Sequence, residues 1–272
     1  VAAQASTSAK IQGPIRIGVV GGLSGAYAFV GQEQLAGATI AANEINGHGG
    51  VTGAKIQLFS LDDGGDPTRG ITDVQKLVSE NNAIAIIGSP DTAGAVAPYA
   101  ERVKRPVIGV IDGGGLNVQP GGVGSAPRKW VFGITLDTFA MALKLARYGA
   151  SHCKKIAILH DTTTYGAPAA TATSQELRRL GKVAVLNDPI TEDWTKAAAS
   201  ADVGPEVRRL RDHSVDCVIN WVSPEDTAVL IKSARSSGYR FQILGSDTIS
   251  SIPQFVQLAK SAANGSIACA LK

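Results

Sequence analysis

A β-branched run that drives into a Gly/Ser turn and then into a long amphipathic stretch constrains this chain more than any other feature. The first instance is Ile15-Arg-Ile-Gly-Val-Val-Gly-Gly-Leu-Ser-Gly25. About 140 residues later the arrangement recurs at Lys155-Ile-Ala-Ile-Leu-His-Asp161, followed by Thr-Thr-Thr-Tyr165-Gly166. Near-continuous apolar strands belong to parallel sheets covered on both faces, and each such strand must be followed by a crossover helix. The turn at the strand's carboxyl end then presents free N–H groups from the helix start. Two such platforms, each opening about half of the chain, predict two Rossmann-like α/β lobes with a ligand cleft between them.

The rest of the sequence keeps the same rhythm. Strands are predicted at 15–20, 55–61, 84–88, 107–111, 155–160, 183–187, 216–222 and 242–245. Helices are predicted at 30–46, 67–81, 92–104, 136–149, 167–180, 205–212 and 225–237. Asp66-Pro67 reads as an N-cap followed by proline at the first helical position, and Pro224 with Glu225 and Asp226 opens a helix in the same way. Capping also accounts for the Asp62, Asp63, Asp66 cluster better than a metal site does. The Gly/Pro-rich run 113–127 and the extended Trp130-Val-Phe-Gly-Ile134 mark a boundary. The expected division is 1–133 for the first lobe and 134–265 for the second, with 266–272 a strand returning toward the first.

At 272 residues the chain can bury two cores. A net charge of +3, from 26 basic against 23 acidic residues, and 5% aromatics argue against nucleic acid as a partner. No apolar run approaches the ~20 residues of a membrane helix. The small, polar start Val1-Ala-Ala-Gln-Ala-Ser fits a remnant beside an Ala-x-Ala cleavage site, implying export, and fits a frayed tail equally well. Cys153, Cys217 and Cys269 follow no metal spacing. Cys153 precedes one predicted strand and Cys217 lies in its expected neighbour, which would permit a disulfide; the odd count favours buried free thiols.

Catalytic motifs are missing. The first turn reads Gly18-x-x-Gly21-Gly22-x-x-Gly25 rather than G-x-G-x-x-G, and Asp62 and Asp63 fall too far on for a dinucleotide fingerprint. No Gly-Lys-Ser/Thr triplet follows a glycine-rich turn. Gly22-Leu-Ser24-Gly25 and Gly88-Ser89-Pro90 both miss the nucleophile elbow. The histidines at 48, 152, 160 and 213 are dispersed, and only His160 ends a strand near the expected cleft. A binding protein without catalytic residues, cofactor or metal is the reading that remains.

Longer stretches carry a resemblance. Gly37-Ala-x-x-Ala-Ala-Asn-Glu44-Ile45-Asn46-x-x-Gly49-Gly50-Val51-x-Gly53, Asp62-Asp63-x-x-Asp66-Pro67, Gly88 with Thr92, His160-Asp161-x-x-x-Tyr165-Gly166 and Gly245-Ser246-Asp247 follow in order after the opening strand. In that order and spacing the chain resembles the type I periplasmic solute-binding proteins of branched-chain amino acid ABC transporters, over nearly its whole length from Ile15. The resemblance implies an extracytoplasmic protein that closes two hinged lobes on an amino acid or related small polar solute and delivers it to a membrane permease. It implies that Thr92 holds a ligand carboxylate, with Ser89 and Asp91 beside it, and that Asp247 faces an α-ammonium. Tyr165 and Trp221 take the second lobe's aromatic positions, and Ser24 and Tyr27 line the first lobe's loop.

Two departures stand out. Family members commonly continue after Pro106-Val-Ile with Ser-Pro-Ser/Ala-Ala-Thr, whereas this chain has Gly109-Val-Ile-Asp112-Gly113. Gly113 removes a hydroxyl, and Asp112 adds a carboxylate that would repel a ligand carboxylate unless it turns away. The expected ligand therefore shifts toward a cationic or amide-bearing solute. The run Gly265-Ser-Ile-Ala-Cys-Ala-Leu-Lys272 resembles the return crossing, beyond which family members continue. The chain is thus expected to be C-terminally short, with apolar sheet left exposed. The rival reading within this fold is a ligand-sensing domain, such as an amide sensor.

Overall fold

In a computed structural model of the chain, residues 11–24, 28–88, 92–109, 115, 117–162, 165–192, 201–251 and 254–270 are described. The chain separates into two compact units, Val1–Ile111 with Lys129–Gly133, and Asp112–Arg128 with Ile134–Lys272.

The first unit runs β1 (Ile15–Gly21), α1 (Ala28–Gly47), β2 (Ile56–Asp62), α2 (Pro67–Ser79), β3 (Ala85–Gly88), α3 (Ala93–Val103), β4 (Val107–Gly109) and β5 (Val131–Gly133). All five strands pair in parallel in the order β2-β1-β3-β4-β5. One face buries Ile86, Val107 and Val131 against α2 and α3. Gly18 lies in the same layer, where a Cβ would come within 2.8 Å of Leu77 Cδ1. On the other face α1 packs over β1 and β2. The register partners Ile108 and Phe132 there remain 40% and 47% exposed.

The second unit runs α4 (Thr138–His152), β6 (Ile156–His160), α5 (Gly166–Arg179), β7 (Leu186–Pro189), α6 (Gly204–Asp212), β8 (Cys217–Trp221), α7 (Pro224–Ser236), β9 (Gln242–Gly245), α8 (Thr248–Ser251), α9 (Gln254–Ala259) and β10 (Ile267–Ala268). Its parallel sheet is ordered β10-β9-β8-β6-β7. Both faces are covered. Ala157, Leu159, Val218 and Ile243 pack with Leu210, Leu230 and Ile231 on one side. Ile156, Ile158, Ile219 and Leu244 pack with Leu145, Ala146 and Leu177 on the other. Counted from its own first strand, each sheet has the same doubly wound order. The direction of winding therefore reverses between β1 and β3 in one sheet and between β6 and β8 in the other. Open α/β sheets bind ligands outside the carboxyl ends of the strands at such reversals.

Local chemistry sets the element ends. Asp66 caps α2, accepting from the N–H groups of Thr68 (2.7 Å) and Arg69 (2.9 Å) ahead of Pro67. Asp137 caps α4 through the Ala140 N–H, and Ser223 caps α7 through that of Asp226. The acidic turn therefore spends Asp66 on capping, as its position before a proline predicts.

Three expectations need correction. The strand predicted at 183–187 begins later, at Leu186 opposite Ala157: Val183 is 73% exposed, and Val185 joins only through its N–H, which donates to the Ile156 carbonyl at 2.8 Å. The segment expected to return toward the first lobe forms, at Ile267–Ala268, the edge strand of the second sheet beside Leu244 and Gly245. Cys153 and Cys217 are joined in a disulfide, leaving Cys269 as the free thiol. The bridge forms because β6 and β8 are adjacent, so the residue leading into one meets the first residue of the other.

Candidate solute-binding loops

In the first unit, the loop after β1 is fastened by one carboxylate. The Leu23, Ser24 and Gly64 N–H groups donate to Asp62 Oδ1 at 2.8, 3.2 and 2.9 Å, and the Ser24 hydroxyl donates to Oδ2 at 2.6 Å. Burial raises the Asp62 pKa, but the Ser24 hydroxyl and these N–H groups outweigh it and hold the carboxyl below its ordinary value. α1 then approaches the turn so closely that a Cβ on Gly31 would lie 2.3 Å from the Gly22 carbonyl oxygen. Ser24 is exposed on this pinned loop, with its hydroxyl already committed to Asp62.

Thr92 stands at the N-terminus of α3 and is buried. Its hydroxyl donates to Asp63 Oδ2 at 3.0 Å, while Asp63 Oδ1 accepts the Gly65 N–H at 2.9 Å. Burial above all pushes the Asp63 carboxyl upward, and the neighbouring Asp62 and Asp73 charges add to this against the two hydrogen bonds. Thr92 thus joins the loop before α3 to the acidic turn. Its hydroxyl proton is spent, and only its lone pairs could meet a solute.

In the second unit, two loops converge. The Tyr165 hydroxyl, at the start of α5, donates to Asp247 Oδ1 at 3.3 Å beyond β9. Burial, then the charge of Asp247, drives the Tyr165 pKa well above its ordinary value, so the phenol stays protonated and can donate; Ser246 hydrogen-bonds the phenol oxygen. Behind it, Trp221 meets the Tyr165 ring edge-on, with centroids 5.9 Å apart at 72°. The indole N–H donates to Thr173 Oγ1 at 3.2 Å, and Trp221 is fully buried. Asp161 fixes the start of α5: its Oδ1 accepts the Gly166 N–H (3.1 Å), and its own N–H bonds to the Trp221 carbonyl (3.0 Å). His160 is engaged through Nδ1 with the Asp161 carbonyl at 2.6 Å.

The sequence-predicted residues therefore fall into groups. Ser24 and Thr92 sit on loops at the carboxyl edge of the first sheet, and Tyr165 and Asp247 pair at that of the second. Trp221 is placed as a buttress under Tyr165 and does not reach the surface. Tyr27, Ser89, Asp91, Asp112 and Gly113 lie outside the described residues. Ser246 was read only as part of the Gly245-Ser246-Asp247 match and given no role, and Thr173 escaped the sequence reading. Ser246 could have been found from its place beside Asp247 in Gly245-Ser-Asp; Thr173 sits mid-helix and has no local signal.

A family model described as "Periplasmic binding protein" matches residues 14–270. An amino acid binding protein of Pseudomonas aeruginosa is 28% identical over 240 residues, covering 86% of this chain and 60% of that protein. A Leu/Ile/Val-binding protein of Rhizobium johnstonii is 28% identical over 261 residues, covering 93% of this chain and 66% of that protein. The chain thus spans less than two thirds of the length of these curated relatives. The crystal structure of a type 1 periplasmic binding protein from Bordetella pertussis superposes with a TM-score of 0.83 at 23% identity, over 94% of this chain and 68% of that one.

Proposed function

Because the chain belongs to the periplasmic binding protein family, we propose that it is the solute-binding protein of an ABC importer, acting outside the cytoplasm and handing its solute to a membrane permease. The solute class is an amino acid or a related small polar compound bearing a cationic nitrogen. The observation that carries this reading is the Tyr165–Asp247 pair at the carboxyl edge of the second sheet. A carboxylate that accepts one phenol hydrogen bond has further lone pairs through which an ammonium could be held. The buried Trp221 fixes the aromatic ring in place, which lowers the entropy lost when a solute is held.

The first unit carries preorganised groups of its own. Its loop after β1 is pinned by Asp62 rather than left free, so any N–H or hydroxyl it offers is preorganised. The names of the relatives support an amino acid as ligand. The Cys153–Cys217 disulfide supports residence in an oxidising compartment, where such bonds persist. The family match supports binding without turnover.

Mass spectrometry of the small molecules released from natively purified protein tests the proposal. An amino acid, or an analogue that keeps a cationic nitrogen, recovered near one per chain is the expected result. Recovery of nothing, together with no uptake from an equimolar mixture of amino acids and amides, would overturn it.

A further inference from the structure

Behind the second unit's loops stands a buried hydroxyl. Thr173 lies in the middle of α5 and is fully buried. Its hydroxyl donates to the Ala169 carbonyl, one turn back, at 2.8 Å. That bond spends the hydroxyl proton, holds the side chain in one rotamer and leaves the oxygen's lone pairs to accept. They accept the Trp221 indole N–H at 3.2 Å, from a residue 48 positions away in sequence. An indole N–H can only donate, so in a core it needs an acceptor. The indole otherwise shares an apolar cluster with the small side chains of Ala169, Ala170 and Ala172. Apolar contact is non-directional, and the hydrogen bond to Thr173 adds the directional restraint that such contact lacks.

We propose that Thr173 is a positioning residue of the solute site: through the Trp221 indole it sets the angle of the Tyr165 ring, and so the phenol's hydrogen bond to Asp247, without touching solute itself. The inference rests on the reading of Asp247 as the solute-facing carboxylate. Thr173 holds the indole, and the indole meets the Tyr165 ring edge-on, with centroids 5.9 Å apart at 72°. Edge-to-face contact follows the ring quadrupoles and is therefore orientation-dependent. The Tyr165 hydroxyl, the outermost atom of its ring, then reaches Asp247 Oδ1 at 3.3 Å. That distance is already long for an O–H···O bond, so a small tilt of the ring breaks it. The backbone gives little slack: a Cβ on Gly166, next to Tyr165, would lie 2.7 Å from the Trp221 carbonyl oxygen. With the two backbones fixed against each other, the side-chain angles are what Thr173 controls.

Thr173→Val removes the acceptor with little change of shape, and Thr173→Ser keeps it. In the intact, solute-free chain, NMR follows the Trp221 indole N–H and the Tyr165 ring. Both resonances should shift in Thr173→Val and stay near their wild-type positions in Thr173→Ser. Calorimetry with leucine, lysine and leucinamide then gives affinities. Thr173→Val should weaken every solute that binds by roughly fivefold, the loss expected for one neutral hydrogen bond, with Thr173→Ser close to wild type. On a Tyr165→Phe background, Thr173→Val should add no further loss, a coupling that a merely structural role would not produce. If the wild-type chain binds none of the three, the solute reading falls, and the solute-free resonances alone decide for Thr173. Tyr165 resonances unmoved in Thr173→Val, or the same loss of affinity from Thr173→Val with and without the Tyr165 hydroxyl, would overturn the inference.

Discussion

The Tyr165 hydroxyl donates to Asp247 Oδ1 at 3.3 Å across 82 residues of sequence, joining the exits of β6 and β9. Asp247→Asn removes the charge proposed to face a solute ammonium. A hydrogen bond to a charged group is worth about 1.5–3 kcal/mol, so affinity should fall roughly 10- to 150-fold. Tyr165→Phe removes only the orienting donor, at about 1 kcal/mol or roughly fivefold. Calorimetric titration of both variants, with melting temperatures as a folding control, checks the ranking. Equal affinity in Asp247→Asn and wild type would remove Asp247 from the site.

Asp62 predicts a pH response of its own. Its carboxyl is held below the ordinary value, so it contributes stability that is present above the unfolded pKa and lost as pH falls through the folded one. Asp62→Asn should therefore cost about 1 kcal/mol at neutral pH, a modest figure because the loop is partly solvated. The cost should vanish toward pH 2–3. Scanning calorimetry at pH 7 and pH 2.5 measures both ends. A gap of the same size at both values would mean that the loop is not fastened by the charge.

Close backbone approach predicts which glycines tolerate a methyl group. In Gly31→Ala the new Cβ would lie 2.3 Å from the Gly22 carbonyl oxygen. In Gly166→Ala it would meet Asp161 Oδ1 at 2.6 Å and the Trp221 carbonyl oxygen at 2.7 Å. Each should cost about 1–3 kcal/mol, as overpacking does. Gly37→Ala, in the same helix as Gly31 but with nothing within 4 Å, should stabilise by about 0.5–1 kcal/mol. Chemical denaturation of the three variants gives the comparison; a stabilised Gly166→Ala would contradict the tight β6–α5 turn.

The Cys153–Cys217 bridge closes a span of 64 residues. Replacing both cysteines by alanine, or reducing the bridge, should lower stability by about 2–4 kcal/mol. Thermal melts with and without a reductant test this, since the double variant should be insensitive to the reductant. A wild-type melt unchanged by full reduction would show that the bridge contributes nothing.

Much of the architecture was legible because local rules and long-range packing agree. Asp66-Pro67 announced its helix, and each Val/Ile-rich run ahead of a glycine turn formed a parallel strand. The Val183–Val185 run misled because β-branched residues also occur in an exposed approach to a strand. The disulfide was read as permitted but not chosen, because pairing depends on which strands become neighbours, and the order placing β6 beside β8 is a property of the whole sheet. Trp221 illustrates the limit for the site. The run Cys217-Val-Ile-Asn-Trp221 is buried on both faces, so alternation cannot reveal that the indole turns toward Thr173 and backs Tyr165. Thr92 was correctly placed at a helix start, but its hydroxyl partner, Asp63, lies 29 residues away on another loop.

The central claim is that the second unit's loop carboxylate, Asp247, captures a solute through its cationic nitrogen. Calorimetric titration of the wild-type chain with leucine and with its des-amino analogue, 4-methylpentanoate, and in parallel with lysine and leucinamide, tests it most directly. At least one of the three nitrogen-bearing solutes should bind, and the des-amino acid should not. Binding of 4-methylpentanoate as tight as that of leucine, or silence from all three amines, would contradict it.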